Sequence, residues 1–249
     1  GTIAFNASAT ISGTNIFNNL TVASAVNPGT TTTINGTLSI NTGGSIVTNS
    51  PTFGTTSTLN YNYGGGQVSR RNQSLEWPSS NAPSNVSITN GSWLQMTGSR
   101  NLTGNLTITN GALQSLGAQT LTMNGTSQTI TVSNSSGGAL YGTDNGTGND
   151  LSLNIANGST TPFTGDVTTA NDDEKKWYGI TVNNGATLIL SRGILCKYAS
   201  FNVDGILQIN SGGYVQNNLG ITPTYGSASL LKYNSGGIYN RSYEWSSTN

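Results

Sequence analysis

Two stretches of the chain carry many of the large polar and aromatic side chains that could form a binding or catalytic site. They read YNYGGGQVSRRNQSLEW at residues 61–77 and YNSGGIYNRSYEW at residues 233–245. Each contains tyrosine, a glycine pair, arginine and a Glu-Trp dipeptide. One chemistry open to such a set is sugar binding, with tryptophan as a stacking platform and arginine or glutamate as hydrogen-bonding partners. The other interpretation is a repeated structural device.

The structural interpretation assigns a role to each large side chain. Tryptophan covers the flank of the fold, and Glu76 pairs with Arg70 or Arg71. Glu244 pairs in the same way with Arg241. Because the sequence has few large side chains, those that recur are expected to fill a specific gap in the packing. The residues of this repeated structural motif are Tyr61, Arg71, Glu76, Trp77, Tyr233, Arg241, Glu244 and Trp245.

The composition excludes several kinds of catalytic and metal site. The sequence has no histidine and one cysteine, Cys196, so a Ser-His-Asp triad, a Cys-His pair and a His-bearing or multi-cysteine zinc site are impossible. The carboxylates at 172–174 and the segment DNGTGND at 144–150 are typical of solvated turns, and the latter lacks the calcium-loop pattern. We therefore predict no catalytic residue, no metal site and no cofactor. Cys196 itself is expected to be a small buried hydrophobe.

The charge balance limits the possible partners. Nine basic and nine acidic residues give a net charge of zero, and only 7% of residues are charged. The chain therefore lacks the basic footprint that nucleic-acid binding needs and the polybasic signal for anionic membranes. No stretch approaches the roughly 18 apolar residues of a transmembrane helix. We expect neither nucleic-acid binding nor membrane insertion.

A short period indicates the elements that must position these residues. Gly91 and Gly111 are 20 residues apart, as are Gly185 and Gly205, and each follows Asn or Asp before an apolar alternation. Period-two alternation with Thr, Ile and Val is typical of half-buried strands, and Asn-Gly pairs favour corners with positive φ. The pattern predicts an all-β, right-handed parallel β-helix with coils of about 20 residues. The alternative is an antiparallel β-sandwich array, because Asn-Gly also favours hairpins.

A parallel β-helix makes specific demands on its residues. Coils stack about 4.8 Å apart, so like residues lie over like residues. Stacked charges would repel, whereas stacked Asn, Ser and Thr form hydrogen-bonded ladders. About a dozen coils would span about 60 Å. Ten residues with period-two placement are expected to point into one core: Leu94, Leu106, Ile108, Leu113, Leu121, Ile130, Leu188, Leu190, Leu207 and Ile209.

A second, longer period repeats residues 35–81 as residues 204–249. INGTLSINTGG matches VDGILQINSGG at an offset of 204 − 35 = 169, and Glu76 matches Glu244 at 244 − 76 = 168. We predict that 1–249 form one continuous β-solenoid segment that holds about one and a half copies of a module of about 170 residues. The chain begins without methionine and stops level with Asn81 of the first copy, so we expect part of a longer array.

Four stretches, FNNLTV, VSITNGSWLQM, RNLTGNLTITNGAL and YNSGGIYNRSYEW, are phrases of a recurrent type. Through them most of the chain resembles the large secreted, adhesin-like β-helical repeat proteins of Bacteroidota-type bacteria. The stretches NDDEKKWYGITV and VASAVNPGTTTTING depart from the pattern. The resemblance implies export and display on the bacterial cell surface, often in very long chains.

Together these observations predict a non-enzymatic extracellular protein, a segment of a repetitive surface fibre, stalk or adhesin. Its expected partners are further copies or modules stacked end to end, and glycans or cell surfaces. The alternative is a carbohydrate-binding or polysaccharide-degrading β-helix with a groove lined by Trp93, Trp177, Tyr198 or the acids. Ice binding is disfavoured, because the threonine residues do not recur at the same position in successive coils.

Overall fold

A computed structural model describes residues 1–133, 139–141, 150–165, 175–216, 221–240 and 243–245. Within these ranges the protein is built of short β-strands and one 3-10 turn, Gly66–Ser69. That turn is the longest helical segment in the described part of the chain, where no helix is long and apolar enough to cross a membrane.

The strands form four parallel sheets that run along the molecule. The long sheet contains β1 (Thr2–Phe5), β3 (Asn15–Val22), β5 (Thr32–Asn41), β7 (Thr52–Phe53), β8 (Thr58–Asn62), β10 (Asn85–Ile88), β13 (Leu106–Thr109), β16 (Ile130–Ser133), β19 (Thr160–Thr164), β22 (Thr187–Leu190), β25 (Ile206–Asn210) and β28 (Leu230–Asn234). The second sheet contains β9 (Arg71–Asn72), β11 (Ser92–Met96), β14 (Gly111–Ser115), β17 (Ala139–Tyr141), β20 (Lys175–Trp177), β23 (Gly193–Cys196) and β26 (Tyr214–Val215). The third sheet contains β12 (Arg100–Leu102), β15 (Gln119–Met123), β18 (Leu151–Ile155), β21 (Ile180–Val182), β24 (Phe201–Val203) and β27 (Thr224–Tyr225). A short sheet near the amino terminus contains β2 (Ala9–Thr10), β4 (Ala25–Asn27) and β6 (Ser45–Ile46).

Strand pairing makes the fold a β-solenoid. Every pairing between the described strands is parallel and joins strands one coil apart; Val86 lies beside Leu106 and Leu188 beside Leu207. The solenoid has about 10 turns of roughly 21 residues. The predicted parallel β-solenoid with a step near 20 residues is therefore confirmed, and the antiparallel sandwich array is wrong.

Left-handed corners turn the chain at three of the four predicted Asn-Gly or Asp-Gly positions, whereas Asp204–Gly205 has no positive φ. Asn90 and Gly91 have φ values of 55° and 72°, and Asn110 has a φ of 50°. These left-handed conformations suit glycine and, among residues with a side chain, asparagine. These corners therefore let β10 and β13 lead into β11 and β14 of the second sheet at small steric cost.

The core is a continuous cluster of aliphatic side chains with some aromatic ones. All ten residues predicted to share one core have no exposed surface and belong to one continuous cluster. Full burial of each large aliphatic side chain contributes roughly 1.5–3 kcal/mol. The strand phase assigned from the sequence is therefore confirmed.

Polar ladders run along the outside of the coils. Asn62 donates to Asn41 at 3.2 Å, Asn183 donates to Asn154 at 2.7 Å, and the hydroxyls of Thr131 and Thr164 are 3.1 Å apart. The predicted stacking of Asn, Ser and Thr is thus present. It provides cross-coil hydrogen bonds without the repulsion of stacked charges.

The described solenoid is shorter than the sequence suggests. The main path of the long sheet takes ten steps from β1 to β28, which corresponds to about 48 Å rather than 60 Å. Extra residues leave the regular coils: 63–84 form an excursion between β8 and β10, and Ile130 pairs with Phe163, 33 residues later. The mean residue count per coil is therefore larger than the Asn-Gly spacing.

Cys196 is fully buried, and burial raises the pKa of its thiol to about 12. We expect almost no reaction with a disulfide reagent in the native protein at pH 8, and complete reaction in urea, because the thiolate is the reactive form. Time-resolved thiol titration at increasing urea measures this. Rapid stoichiometric labelling without denaturant would contradict the buried position.

Candidate functional site

The first copy of the repeated motif is an excursion from the side of the solenoid. It leaves at the end of β8 through Gly64, Gly65 and Gly66, whose φ values are 70°, 88° and 61°. Three successive left-handed residues turn the chain out of the coil, a path that favours glycine. The chain then forms β9 beside β11 and returns through the turn that contains Glu76 and Trp77.

A tyrosine–glutamate hydrogen bond closes this excursion. The hydroxyl of Tyr61 donates to Oε1 of Glu76 at 3.0 Å, and the backbone N–H of Ser74 donates to the same oxygen at 2.9 Å. Glu76 is 5% exposed and Tyr61 is 1% exposed. Burial raises the pKa of Glu76, and burial followed by the charge of Glu76 raises the pKa of Tyr61.

The arginines of the first copy contact other groups than Glu76. The guanidinium of Arg71 lies 4.5 Å from the ring centre of Tyr63 and donates to the carbonyl of Gly44. Arg70 lies over the ring of Trp93 at 5.9 Å. The predicted ion pair of Glu76 with Arg70 or Arg71 is therefore wrong: the hydrogen bonds of Glu76 come from a phenol and a backbone amide.

Trp77 packs into the flank of the solenoid with no exposed surface. Its carbonyl accepts hydrogen bonds from Gln73 at 2.7 Å and from Nε of Arg100 at 2.8 Å. Arg100 belongs to β12 of the next coil, so the turn is tied to its successor along the solenoid. The structural placement predicted for Trp77 is confirmed, whereas the role of Arg100 was not predicted.

The second copy repeats the tyrosine–glutamate bond. The hydroxyl of Tyr233 donates to Oε1 of Glu244 at 3.1 Å, and Glu244 has no exposed surface. The ring of Tyr239 lies 5.1 Å from that of Tyr233. Trp245, in contrast to Trp77, is 55% exposed. Arg241 lies outside the described residues.

Contacts outside the motif also recur at equivalent places. The carbonyl of Asn41 accepts from Gly44 at 2.9 Å, and that of Asn210 accepts from Gly213 at 2.9 Å. The Asn41–Asn62 side-chain bond has a counterpart between Asn210 and Asn234 at 3.3 Å. The path from β8 to β28 takes seven steps along the long sheet. The two stretches therefore make matching contacts seven coils apart, about 34 Å along the axis.

The described carboxylates do not converge on a reaction centre. Glu76 and Glu244 are buried in separate copies, Asp204 is exposed, and no group of three potential ligands in the described ranges could hold a metal ion. The acids Asp144, Asp166, Asp172, Asp173 and Glu174 lie outside those ranges. The described part of the motif thus supplies hydrogen bonds and packing.

The aromatic residues considered for a sugar-binding groove do not lie together. Trp177 is fully buried, Trp93 lies beneath Arg70, and Tyr198 is 50% exposed and stacks on Tyr178 at 6.3 Å. The second sheet takes four steps from the strand of Trp93 to β23, which precedes Tyr198. These side chains therefore do not form one stacking platform.

One buried cation was missed by the sequence analysis. Arg192 is 1% exposed; its guanidinium lies 5.5 Å from the ring centre of Phe163, and Nη1 donates to the carbonyl of Val132. Its position between the apolar runs TLIL and GILC was the available signal. Arg192 joins three consecutive coils and is a packing residue.

Comparison with known proteins adds no family: no family model, curated protein or solved structure matches the chain.

The pKa of Glu76 leads to a prediction about pH. Because its pKa is raised on folding, the folded state holds the proton more tightly than the unfolded state. Its contribution to stability is therefore fully present below the unfolded value of about 4.3 and decreases as the pH rises through the folded pKa. Urea unfolding at several pH values above 4 should show that the free energy of unfolding declines as the pH rises. Glu76→Gln should reduce that decline. The exposed Asp204→Asn is the control, and an equal slope in all three proteins would contradict the assignment.

Proposed function

We propose that the protein is a non-enzymatic segment of an extracellular rod: a repetitive surface fibre, stalk or adhesin shaft. The proposal rests on the continuous parallel sheet. Backbone hydrogen bonds join each coil to the next in ten successive steps along the molecule. Such a ladder resists bending and extension along its axis, because many bonds must break together.

The repeated motif supports a mechanical role. In the first copy, hydrogen bonds from three coils hold the excursion against the rod. The Gly44 carbonyl accepts from Arg71, and the Tyr61 hydroxyl donates to Glu76. In the third coil, Arg100 donates to the Trp77 carbonyl. The same tyrosine–glutamate hydrogen bond recurs seven coils later, which supports a structural element that is repeated along the rod.

Surface labelling tests the cellular part of the proposal. Antibodies against the folded chain should bind intact cells of the producing organism, and external protease should remove the signal. An antibody against a cytoplasmic protein is the control for leakage. Labelling that appears only after permeabilisation would overturn the extracellular assignment.

An activity panel tests the non-enzymatic part. The chain should release no reducing ends or unsaturated products from pectins, alginates and glucans, with heat-unfolded protein as the blank. Reproducible turnover by the folded chain alone would overturn this part of the proposal.

Glycan binding is a second candidate, favoured by one cavity. A space of about 460 Å³ beside the excursion is lined by several serine and threonine residues and by Arg100, together with two prolines, and the buried Trp77 borders it. Hydroxyls and a guanidinium are suitable hydrogen-bonding partners for sugars. A glycan array tests this candidate: binding that Ser80→Trp abolishes by filling the cavity would support it, and binding unaffected by that change would exclude the cavity.

A further inference from the structure

The cavity beside the excursion is assembled from three parts of the solenoid. Residues 50–52 lead into β7, residues 74–81 form the return of the excursion, and Arg100 belongs to the next coil. The backbone joins the first two parts, because the carbonyl of Asn81, whose φ is 50°, accepts from the N–H of Phe53 at 3.0 Å. The walls are therefore held together before a ligand binds, which lowers the entropy cost of binding.

The charge of this cavity is positive. Arg100 is the one charged residue that lines it in the described part of the chain. The nearby Glu76 is 5% exposed and does not line the cavity, and its carboxylate accepts from Tyr61 and Ser74. Burial lowers the pKa of Arg100, an effect that Tyr61 and Glu76 oppose, and a guanidinium remains charged at neutral pH. A ligand in the cavity therefore meets a cation without a carboxylate in the surrounding wall.

The guanidinium of Arg100 is oriented by two hydrogen bonds. Nε donates to the carbonyl of Trp77 at 2.8 Å, and Nη1 donates to the carbonyl of Ser99 at 2.8 Å. Within the described residues Nη2 has no acceptor, so both of its N–H groups are available. An anion that binds Nη2 forms charge-assisted hydrogen bonds with a cation that is already in position.

The neutral groups of the cavity suit a sugar. Ser79 and Ser80 are exposed, so their hydroxyls can exchange water for the hydroxyls of a ligand. Leu75 is 36% exposed and Pro78 is half-buried, and both offer apolar surface to the C–H groups of a sugar ring. Trp77 is fully buried and offers no stacking face. A few polar groups among apolar ones are typical of small-molecule sites.

We propose that this cavity binds an acidic glycan. A carboxylate or a sulfate ester of the sugar pairs with Nη2 of Arg100, and sugar hydroxyls bond to Ser79 and Ser80. A neutral sugar would cover the cation without a counter-ion, whereas an acidic sugar supplies one. The inference rests on the glycan-binding candidate, deepens it by naming the class of sugar, and is independent of the rod function.

The test compares ligands and variants that differ mainly in charge. The probes are trigalacturonate, the same trisaccharide with methyl-esterified carboxyl groups, and a galactotriose that carries sulfate esters. The full chain is compared with Ser80→Asp, which adds a carboxylate to the cavity wall, and with Ser80→Asn, which adds a neutral side chain of similar size. Isothermal titration calorimetry at low salt measures each affinity, and urea unfolding checks that both variants are folded.

We expect one of the two acidic probes to bind the full chain about tenfold or more tightly than the methyl ester, because a hydrogen bond to a charged group is lost in the ester. The tighter of the two acidic probes identifies the anionic group. Ser80→Asp should weaken binding of that probe by about tenfold or more, since the new carboxylate competes for Arg100. Ser80→Asn should leave the affinity nearly unchanged.

Three results would each overturn the inference. Equal affinity for the acids and the ester would leave a glycan site without a preference for acidic sugars. Binding that Ser80→Asp does not weaken would place the ligand outside the cavity, and a lack of binding by all three probes would reject acidic sugars. The glycan array decides separately whether the cavity binds another sugar, so failure of this inference and failure of the glycan-binding candidate are distinguishable.

Discussion

Trp77→Ala is expected to lower the free energy of unfolding by about 3–5 kcal/mol, the range for truncating a buried large aromatic residue. Trp77 has no exposed surface and belongs to the continuous core cluster. Removing it leaves a cavity beneath the turn that holds Glu76. Urea unfolding followed by far-UV circular dichroism measures the change.

Three variants define the cause of that loss. Trp245→Ala should change stability by less than about 1 kcal/mol, because the side chain is half exposed. Glu76→Gln should change the free energy of unfolding by about 1 kcal/mol or less, since the amide oxygen can still accept from Tyr61. Trp77→Phe keeps a ring in place and should be milder than alanine. Equal effects of Trp77→Ala and Trp245→Ala would contradict the difference in cover between the two copies.

Gly44→Ala and Gly213→Ala form the second prediction, with an expected cost of about 2–3 kcal/mol each, in the usual range for overpacking. A β-carbon at Gly44 would lie 2.0 Å from the carbonyl oxygen of Val22, and one at Gly213 would lie 2.0 Å from that of Leu190. Both obstacles are backbone atoms of the preceding coil and cannot rotate away. The coils would have to separate locally.

Thermal unfolding of both variants and of Gly237→Ala measures this effect. A β-carbon at Gly237 would have no neighbour within 4 Å, so that change should be nearly neutral. Similar losses at Gly44 and Gly213 would support equivalent backbone packing in the two copies. A neutral result at both positions would contradict the close approach of adjacent coils.

The fold could be predicted from the sequence because local signals agree with one another. Asn-Gly corners such as Asn90–Gly91 mark where strands end, and period-two residues such as Leu106 and Ile108 mark the inward face. Both signals depend on a few neighbouring residues, so they can be located from the sequence alone. The number of coils was overestimated, because nothing local distinguishes residues in a coil from residues in an excursion.

The site was only partly predictable. Repetition identified Tyr61, Glu76 and Trp77 as one unit, but their partners depend on the path of the excursion. Opposite charges suggested an ion pair with Arg71. The glycine turn instead brings Glu76 to the hydroxyl of Tyr61 and leaves Arg71 over the ring of Tyr63. Arg100, from the next coil, was missed because its contact spans 23 residues and depends on coil register.

The two motif copies occupy equivalent places seven coils apart along the long sheet. Thr58 and Leu230 are outward positions at the start of β8 and β28, so spin labels on cysteines introduced there report the axial step directly. Cys196→Ser serves as the background. A pulsed electron–electron distance measurement should give one narrow distribution near about 34 Å, seven steps of about 4.8 Å. A broad distribution, or a distance far from that value, would contradict the repeated solenoid.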